Sequence, residues 1–120
     1  MTKIEIIFTF HALEKIKERT IKLPQIEMTI LNPEELYFDK ENGTYVAIRQ
    51  FSSRWIVVIY IEIPHAHKKI FKVVTTYFTK KKDKLVKSKL RQDAWRKLKQ
   101  SQRFGMIQKP ISFTFIIETA

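Results

Sequence analysis

The chain has no cysteine. That excludes a disulfide framework, a zinc ribbon and a thiol nucleophile. Only two glycines and four prolines punctuate its 120 residues. Collagen-like and linker-dominated architectures are therefore excluded, as are the glycine-rich loops that cradle phosphates. No Walker loop, dinucleotide fingerprint, Gly-x-Ser-x-Gly or His-Glu-x-x-His pattern occurs. The longest apolar run, Ile56-Val57-Val58-Ile59-Tyr60-Ile61, is far too short to span a bilayer. Carboxylates are scarce too, 12 Asp and Glu against 23 Lys and Arg.

What is present is apolar material and positive charge. Hydrophobic residues make up 44% and aromatics 12%, with nine Phe. That suffices for a true core and excludes wholesale disorder. A chain of this length reads as one domain, residues 1–120. Its net charge of +11 favours a polyanionic partner, nucleic acid before an anionic membrane. The opening Lys3-Ile4-Glu5-Ile6-Ile7-Phe8 reads as a strand and not as a signal peptide. The expectation is a soluble, basic protein of the cytoplasm.

Hydrophobic periodicity gives the order of elements. Ile4 to Phe10, rich in β-branched and aromatic residues, predicts a first strand. From His11 the period changes, with Ala12, Leu13, Ile16 and Thr20 three and four apart among charged residues, predicting an amphipathic helix with Thr9 as one candidate N-cap. Pro24 suits the first turn of a second helix with Ile26, Ile30 and Leu31 as its stripe, ended by Asn32-Pro33. Leu36–Phe38, Tyr45–Phe51, Trp55–Ile63 and Ile70–Thr79 predict a meander of strands, with Asn42-Gly43 the strongest hairpin signal. Residues 80–99 then hold ten Lys and Arg against Asp83 and Asp93. Val86, Leu90, Ala94 and Leu98 recur every four residues, which predicts one long basic helix with Trp95 beside the stripe. A last strand is predicted from Ile111 to Glu118. The fold class is α+β: a strand, two helices, an antiparallel meander, a basic C-terminal helix and a final strand.

Four groups of residues could carry chemistry. His11 stands at a strand-to-helix junction, where an imidazole titrates near neutral pH, and Lys15, Glu18 and Arg19 follow on the same helix. A histidine beside cations suits acid–base work on a phosphodiester. On spacing alone an ordinary helix start with solvated charges explains it better. His65-Ala66-His67 offers two imidazoles without a third ligand, so no metal site is expected, and a polar hairpin loop accounts for it. Thr75-Thr76-Tyr77 ends a strand, with Arg54 opening the preceding one and Arg49 a strand earlier. Hydroxyls and guanidinium groups on one face can clamp a phosphate. Alternation sets Thr75 and Tyr77 on one face and Thr76 and Phe78 on the other, so only one pair can line a site. Thr and Tyr are also simply good strand formers. The fourth is the run Lys80-Lys81-Lys82 with the helix after it, where Lys84, Lys87, Arg91 and Lys99 could form a phosphate-facing stripe. Trp95 and Phe104 could stack on bases, though Trp95 better suits the core beside Leu98. A local excess of eight positive charges is hard to explain without a polyanion.

Phe10-His11-Ala12-Leu13-Glu14-Lys15-Ile16-Lys17-Glu18-Arg19-Thr20-Ile21 resembles the "His-Ala, several residues, Arg" leader of small RelE-like proteins in the barnase–EndoU–colicin–RelE nuclease superfamily. Ile30-Leu31-Asn32-Pro33 resembles the end of that family's second helix, and Lys72-Val73-Val74-Thr75-Thr76-Tyr77 its late strand. The similarity runs in order over residues 4–79, so that 1–79 would be a RelE-like core and 80–120 an added basic helix and strand, a nucleic-acid grip or an oligomer contact. The resemblance implies two N-terminal helices packed on a curved antiparallel sheet of about four to six strands, and metal-independent RNA cleavage without a cofactor, in which the ribose 2′-hydroxyl attacks the adjacent phosphate. It implies His11 as general acid or base, Arg19 as phosphate stabiliser, and Thr75 or Thr76 with Tyr77 as the sheet's contribution. Arg54 joins them by position alone. Lys15, Lys80, Lys81, Lys82, Lys84, Lys87 and Arg91 would bind the nucleic acid. A toxin or a mobile-element or viral hydrolase is then the leading reading, with an acidic antitoxin or a homodimer as further partners. A non-catalytic nucleic-acid-binding protein gripping through 80–99 is the alternative, and a structural protein docking on an acidic partner the third.

Overall fold

A computed structural model describes residues 3–98 and 111–113. The α+β class holds, in three layers. β1 (Lys3–Phe8) leads into α1 (Phe10–Arg19) and α2 (Leu23–Leu31). Then come β2 (Glu35–Asp39), β3 (Thr44–Phe51), β4 (Arg54–Ile63) and β5 (Lys68–Thr79). α3 (Lys82–Arg91), β6 (Trp95–Lys97) and β7 (Ile111–Phe113) complete the described chain. The sheet order is β6-β2-β3-β4-β5-β1-β7.

The N-terminal expectations map closely onto these elements. β1 stops at Phe8 and not at Phe10, because Thr9 caps α1. Its Oγ1 accepts the Ala12 N–H at 3.0 Å and donates to the Val74 carbonyl at 3.2 Å. Pro24 sits in the first turn of α2, and Asn32 ends the helix before Pro33. The β2–β3 hairpin forms where Asn42-Gly43 places it, yet only Gly43 takes the left-handed conformation, at φ +65°. Asp39 organises the loop, its carboxylate accepting the backbone N–H groups of Glu41 and Asn42 and the Asn42 side-chain amide. Burial opposes ionisation of Asp39, but those bonds outweigh it and hold the carboxyl below its usual range.

Two expectations are corrected. The sheet is mixed: β2 to β5 and β6 pair antiparallel, but β1 lies parallel to β5 and β7 parallel to β1. β1 reaches its place through two helices and three strands, so no hairpin dictates its direction. The long helix over 80–99 is also shorter than expected. α3 ends at Arg91 in a Schellman cap, where Ala94 N–H bonds the Lys89 carbonyl at 2.9 Å and Asp93 N–H the Leu90 carbonyl at 3.0 Å. Asp93 takes the left-handed turn at φ +56°. Trp95 therefore belongs to β6, paired opposite Asp39, and Leu98 N–H bonds the Leu36 carbonyl. The predicted strand from Ile111 is described only to Phe113; residues 114–118, Lys99 and Phe104 lie outside the described residues.

A core cluster fills each face of the sheet. The larger packs Ala12 and Ile16 of α1 and Ile26 and Ile30 of α2 on Ile4, Ile6, Phe8, Ile56, Val58, Tyr60, Phe71 and Val73. The smaller packs Val86 of α3, Ala94 and Trp95 on Tyr37, Val46, Ile48 and Val57, with Tyr77 and Leu85 partly buried against it. A bulge between Ile59 and Tyr60 pairs them with Thr75 and Val73 and leaves Val74 over. That extra residue brings both Val73 and Thr76 to the larger core and turns Tyr77 to the smaller one. Among the described residues no helix is long and apolar enough to cross a membrane.

Candidate nucleic-acid interface

β1 ends opposite Val73, so among the described residues the last six of β5 have no strand on that side. α1 fills the gap. Arg19, in its last turn, reaches the strand edge and donates from Nη1 to the Thr76 carbonyl at 2.6 Å. Its charge acts on Tyr77, whose phenol burial pushes up while the guanidinium pulls the other way; burial wins. Tyr77 thus stays protonated and neutral over the physiological range.

On the α3 side two adjoining grooves open, one beside Tyr77 and the other along α3. One, of about 370 Å³, is lined by Tyr77, Thr79, Lys81, Lys84, Leu85 and Ser88, with Phe78. The other, of about 410 Å³, is lined by Lys84, Lys87, Ser88 and Arg91. Helical spacing explains the shared walls: 84, 87, 88 and 91 fall on one face at i, i+3, i+4 and i+7. No carboxylate lines either groove.

The expected site residues divide into three places. Tyr77, Lys81, Lys84, Lys87 and Arg91 meet at the grooves, with Arg19 at the strand edge beside Tyr77. Thr75 is half-buried opposite Ile59 and shares Tyr77's side of the strand, whereas Thr76 is fully buried and donates to the Val57 carbonyl at 2.9 Å. Lys80 is exposed just before α3. His11 is exposed in the first turn of α1 and lines neither groove. Lys15 pairs with Glu18 at 3.4 Å. Arg54 lies over the Phe78 ring at 3.9 Å, on the larger-core face, and Arg49 donates to the Asn32 carbonyl. Hence His11 and Arg54 do not join Tyr77 at the grooves.

Lys82 departs furthest from its expected place on the nucleic-acid face. Its side chain is 13% exposed, bridges Glu35 and Asp83, and lies 4.5 Å from the Trp55 ring centre. Tyr37 also donates to Glu35. Burial disfavours the Glu35 carboxylate, but the bonds from Lys82 and Tyr37 more than compensate and hold its pKa below the usual range. Lys82 thus tethers the start of α3 to β2. Glu35, Trp55, Leu85 and Ser88 carried no sequence signal for these roles; each reads as ordinary strand or helix filler until the sheet brings β2 and β4 under α3.

His65 and His67 occupy the β4–β5 hairpin, at the far end of β5 from α3, and the His67 N–H bonds His65 Nδ1 at 3.1 Å. No group of three or more metal-ligating side chains occurs among the described residues. Searches among curated proteins and among solved structures return no match. A family model does match, over residues 8–78, from the last residue of β1 to the residue after Tyr77. That span is more than half of the chain, and the protein belongs to the DUF4258 family, described as a domain of unknown function.

Proposed function

We propose that this protein binds RNA along the basic face of α3 and cleaves it, without a metal, at the C-terminal end of β5. The observation that carries the proposal is the pair of grooves beside Tyr77 and along α3, walled by Lys81, Lys84, Lys87 and Arg91 and free of carboxylates along their lining. Such a surface draws a polyanion through counterion release. Cleavage rests on the neutral Tyr77 beside Arg19, and on the RelE-like resemblance of the residues that place them. The 2′-oxygen attacks the adjacent phosphorus and the P–O5′ bond breaks, leaving a 2′,3′-cyclic phosphate. The 2′ proton leaves to solvent, Tyr77 donates to the departing 5′-oxygen, and the Arg19 N–H groups not bonded to Thr76 offset charge on the phosphate. A toxin or mobile-element nuclease of the cytoplasm, restrained by an acidic antitoxin, fits this reading.

The second reading is a non-catalytic RNA-binding protein. The exposed position of His11, away from the grooves, favours it, because no imidazole then stands ready as a base at Tyr77.

One experiment separates the two. A mixed RNA pool is incubated in EDTA with wild type, Tyr77→Phe, His11→Ala and the pair Lys87→Glu/Arg91→Glu. Cleavage to cyclic-phosphate ends, lost in Tyr77→Phe with RNA still retained, supports the nuclease. Loss of cleavage in His11→Ala alone would return the imidazole to the site. RNA retained intact by wild type sinks cleavage and leaves the binder, and retention lost on charge reversal identifies α3 as its grip. No retention even at low salt sinks both.

A further inference from the structure

The two grooves differ in chemistry although they share Lys84 and Ser88. The one nearer β5 has an apolar floor, the half-buried Tyr77 ring and Leu85, with Lys81 and Lys84 at its rim. The one along α3 has no apolar side chain at all, only Lys84, Lys87, Ser88 and Arg91. A surface built for phosphates alone needs no aromatic floor. A flat apolar recess next to cations is what a nucleobase attached to a phosphate requires: the base stacks on the ring while its backbone stays among the ammonium and guanidinium groups. Lys84 and Arg91 are seven residues apart, about 10 Å along the helix axis at 1.5 Å per residue, which leaves room for successive phosphates of one strand. A base inside a duplex is stacked on both sides and cannot enter such a recess without being flipped out.

We infer that the grooves form one composite site for single-stranded nucleic acid, an unstacked nucleobase lying on Tyr77 and Leu85 and the phosphates that follow it lying on Lys84, Lys87 and Arg91. This rests on the RNA-binding reading and deepens it, naming the strand state and the subsite. The cation at Lys84 belongs to both halves and sets the distance between base and phosphate.

Three fluorescein-labelled deoxy probes test it, since strands without a 2′-hydroxyl are not cut by the proposed chemistry: a 12-mer of thymidylate, an abasic 12-mer of equal charge, and a 12-base-pair duplex. Binding is read by anisotropy at several salt concentrations. The thymidylate strand should bind about 10-fold more tightly than the abasic one, the range expected for stacking one base on an aromatic ring, and more tightly than the duplex. Tyr77→Ala should bring the two single strands together, and Leu85→Lys, which fills the floor from the helix side and leaves the Tyr77 ring in place, should do the same. Tyr77→Phe, which keeps the ring, should preserve the difference. Equal binding of thymidylate and abasic strands by wild type, or tighter binding of the duplex, overturns the nucleobase subsite while RNA binding stands. Absence of binding to every probe and to RNA at low salt overturns the binding reading itself.

Discussion

The two faces of the sheet are built on different terms. Under α1 and α2 the larger cluster buries Ile4, Ile6, Phe8, Ile26, Ile30 and Phe71 almost completely, and the charges on α1 nearly balance, Lys15, Lys17 and Arg19 against Glu14 and Glu18. Under α3 the cluster is smaller and only Val86 of the helix is buried, while Lys82, Lys84, Lys87, Lys89 and Arg91 face a single carboxylate, Asp83. Apolar burial stabilises the fold roughly in proportion to area, whereas unbalanced charge on one helix opposes it through self-repulsion. Stability is thus concentrated on one face and unbalanced positive charge on the other. The smaller core need only hold α3 in place, and the Lys82–Glu35 bridge shares that task.

Substitutions that truncate matching side chains on the two faces should show the asymmetry most strongly. Val73→Ala, in the larger cluster, is expected to cost about 2–3 kcal/mol in urea unfolding. Val86→Ala, beneath α3, is expected to cost only about 1–2 kcal/mol. Equal losses would mean that the α3 face carries as much of the stability as the other.

A pH titration comes next in size. Against burial, the bonds from Lys82 and Tyr37 hold the Glu35 carboxyl below its usual value of 4.5, so its folded pKa lies under its unfolded one. The stability it contributes is present above pH 4.5 and is lost as the pH falls through the folded value. Protonation removes the anchor of Lys82, so in acid the amides of α3 should lose hydrogen-exchange protection before those of α1. Glu35→Gln should produce the same loosening at neutral pH and flatten the acid dependence. Simultaneous loosening of both helices would contradict the tether.

The smallest effect concerns the backbone. Thr20 ends α1 at φ +54°, and Ser52 turns the β3–β4 hairpin at φ +60°. Neither is a glycine, and a β-branched residue is strained there. Thr20→Gly should therefore raise stability, by about 0.5–1 kcal/mol, in thermal melts.

The same positions explain which features were legible in the sequence. β1, α1, α2 and the meander announced themselves because Pro24, Pro33, Asn42 and Gly43 punctuate them and because periodicity switches near His11. α3 was overrun because its stop is an aspartate in a left-handed turn: Ala94 and Leu98 continue the period of Val86 and Leu90 while the chain has already left the helix. β6 is three residues, Trp95-Arg96-Lys97, too few to show alternation. In the site, Tyr77 and the lysines of α3 were visible as types and spacing. Their separation from His11 and Arg54 was not, since the face on which a helix packs depends on a sheet order that no local pattern encodes. Nor could Lys82 be told from its neighbours Lys80 and Lys81 until Glu35 stood opposite it.

The parallel placement of β1 has a consequence for the order of assembly. Its partner residues lie about 65 positions away, Lys3 opposite Lys68 and Phe8 opposite Val73, whereas β2 through β5 are joined by short turns. Closing so long a loop costs entropy before any pairing repays it, so local hairpins form first and distant pairings follow. In a chain emerging from the ribosome, β1 must wait with its apolar side chains uncovered until β5 exists to receive it. Tyr77 and α3 are near neighbours in sequence, so the grooved, basic surface can take shape while the strand that completes the larger core is still searching for its place.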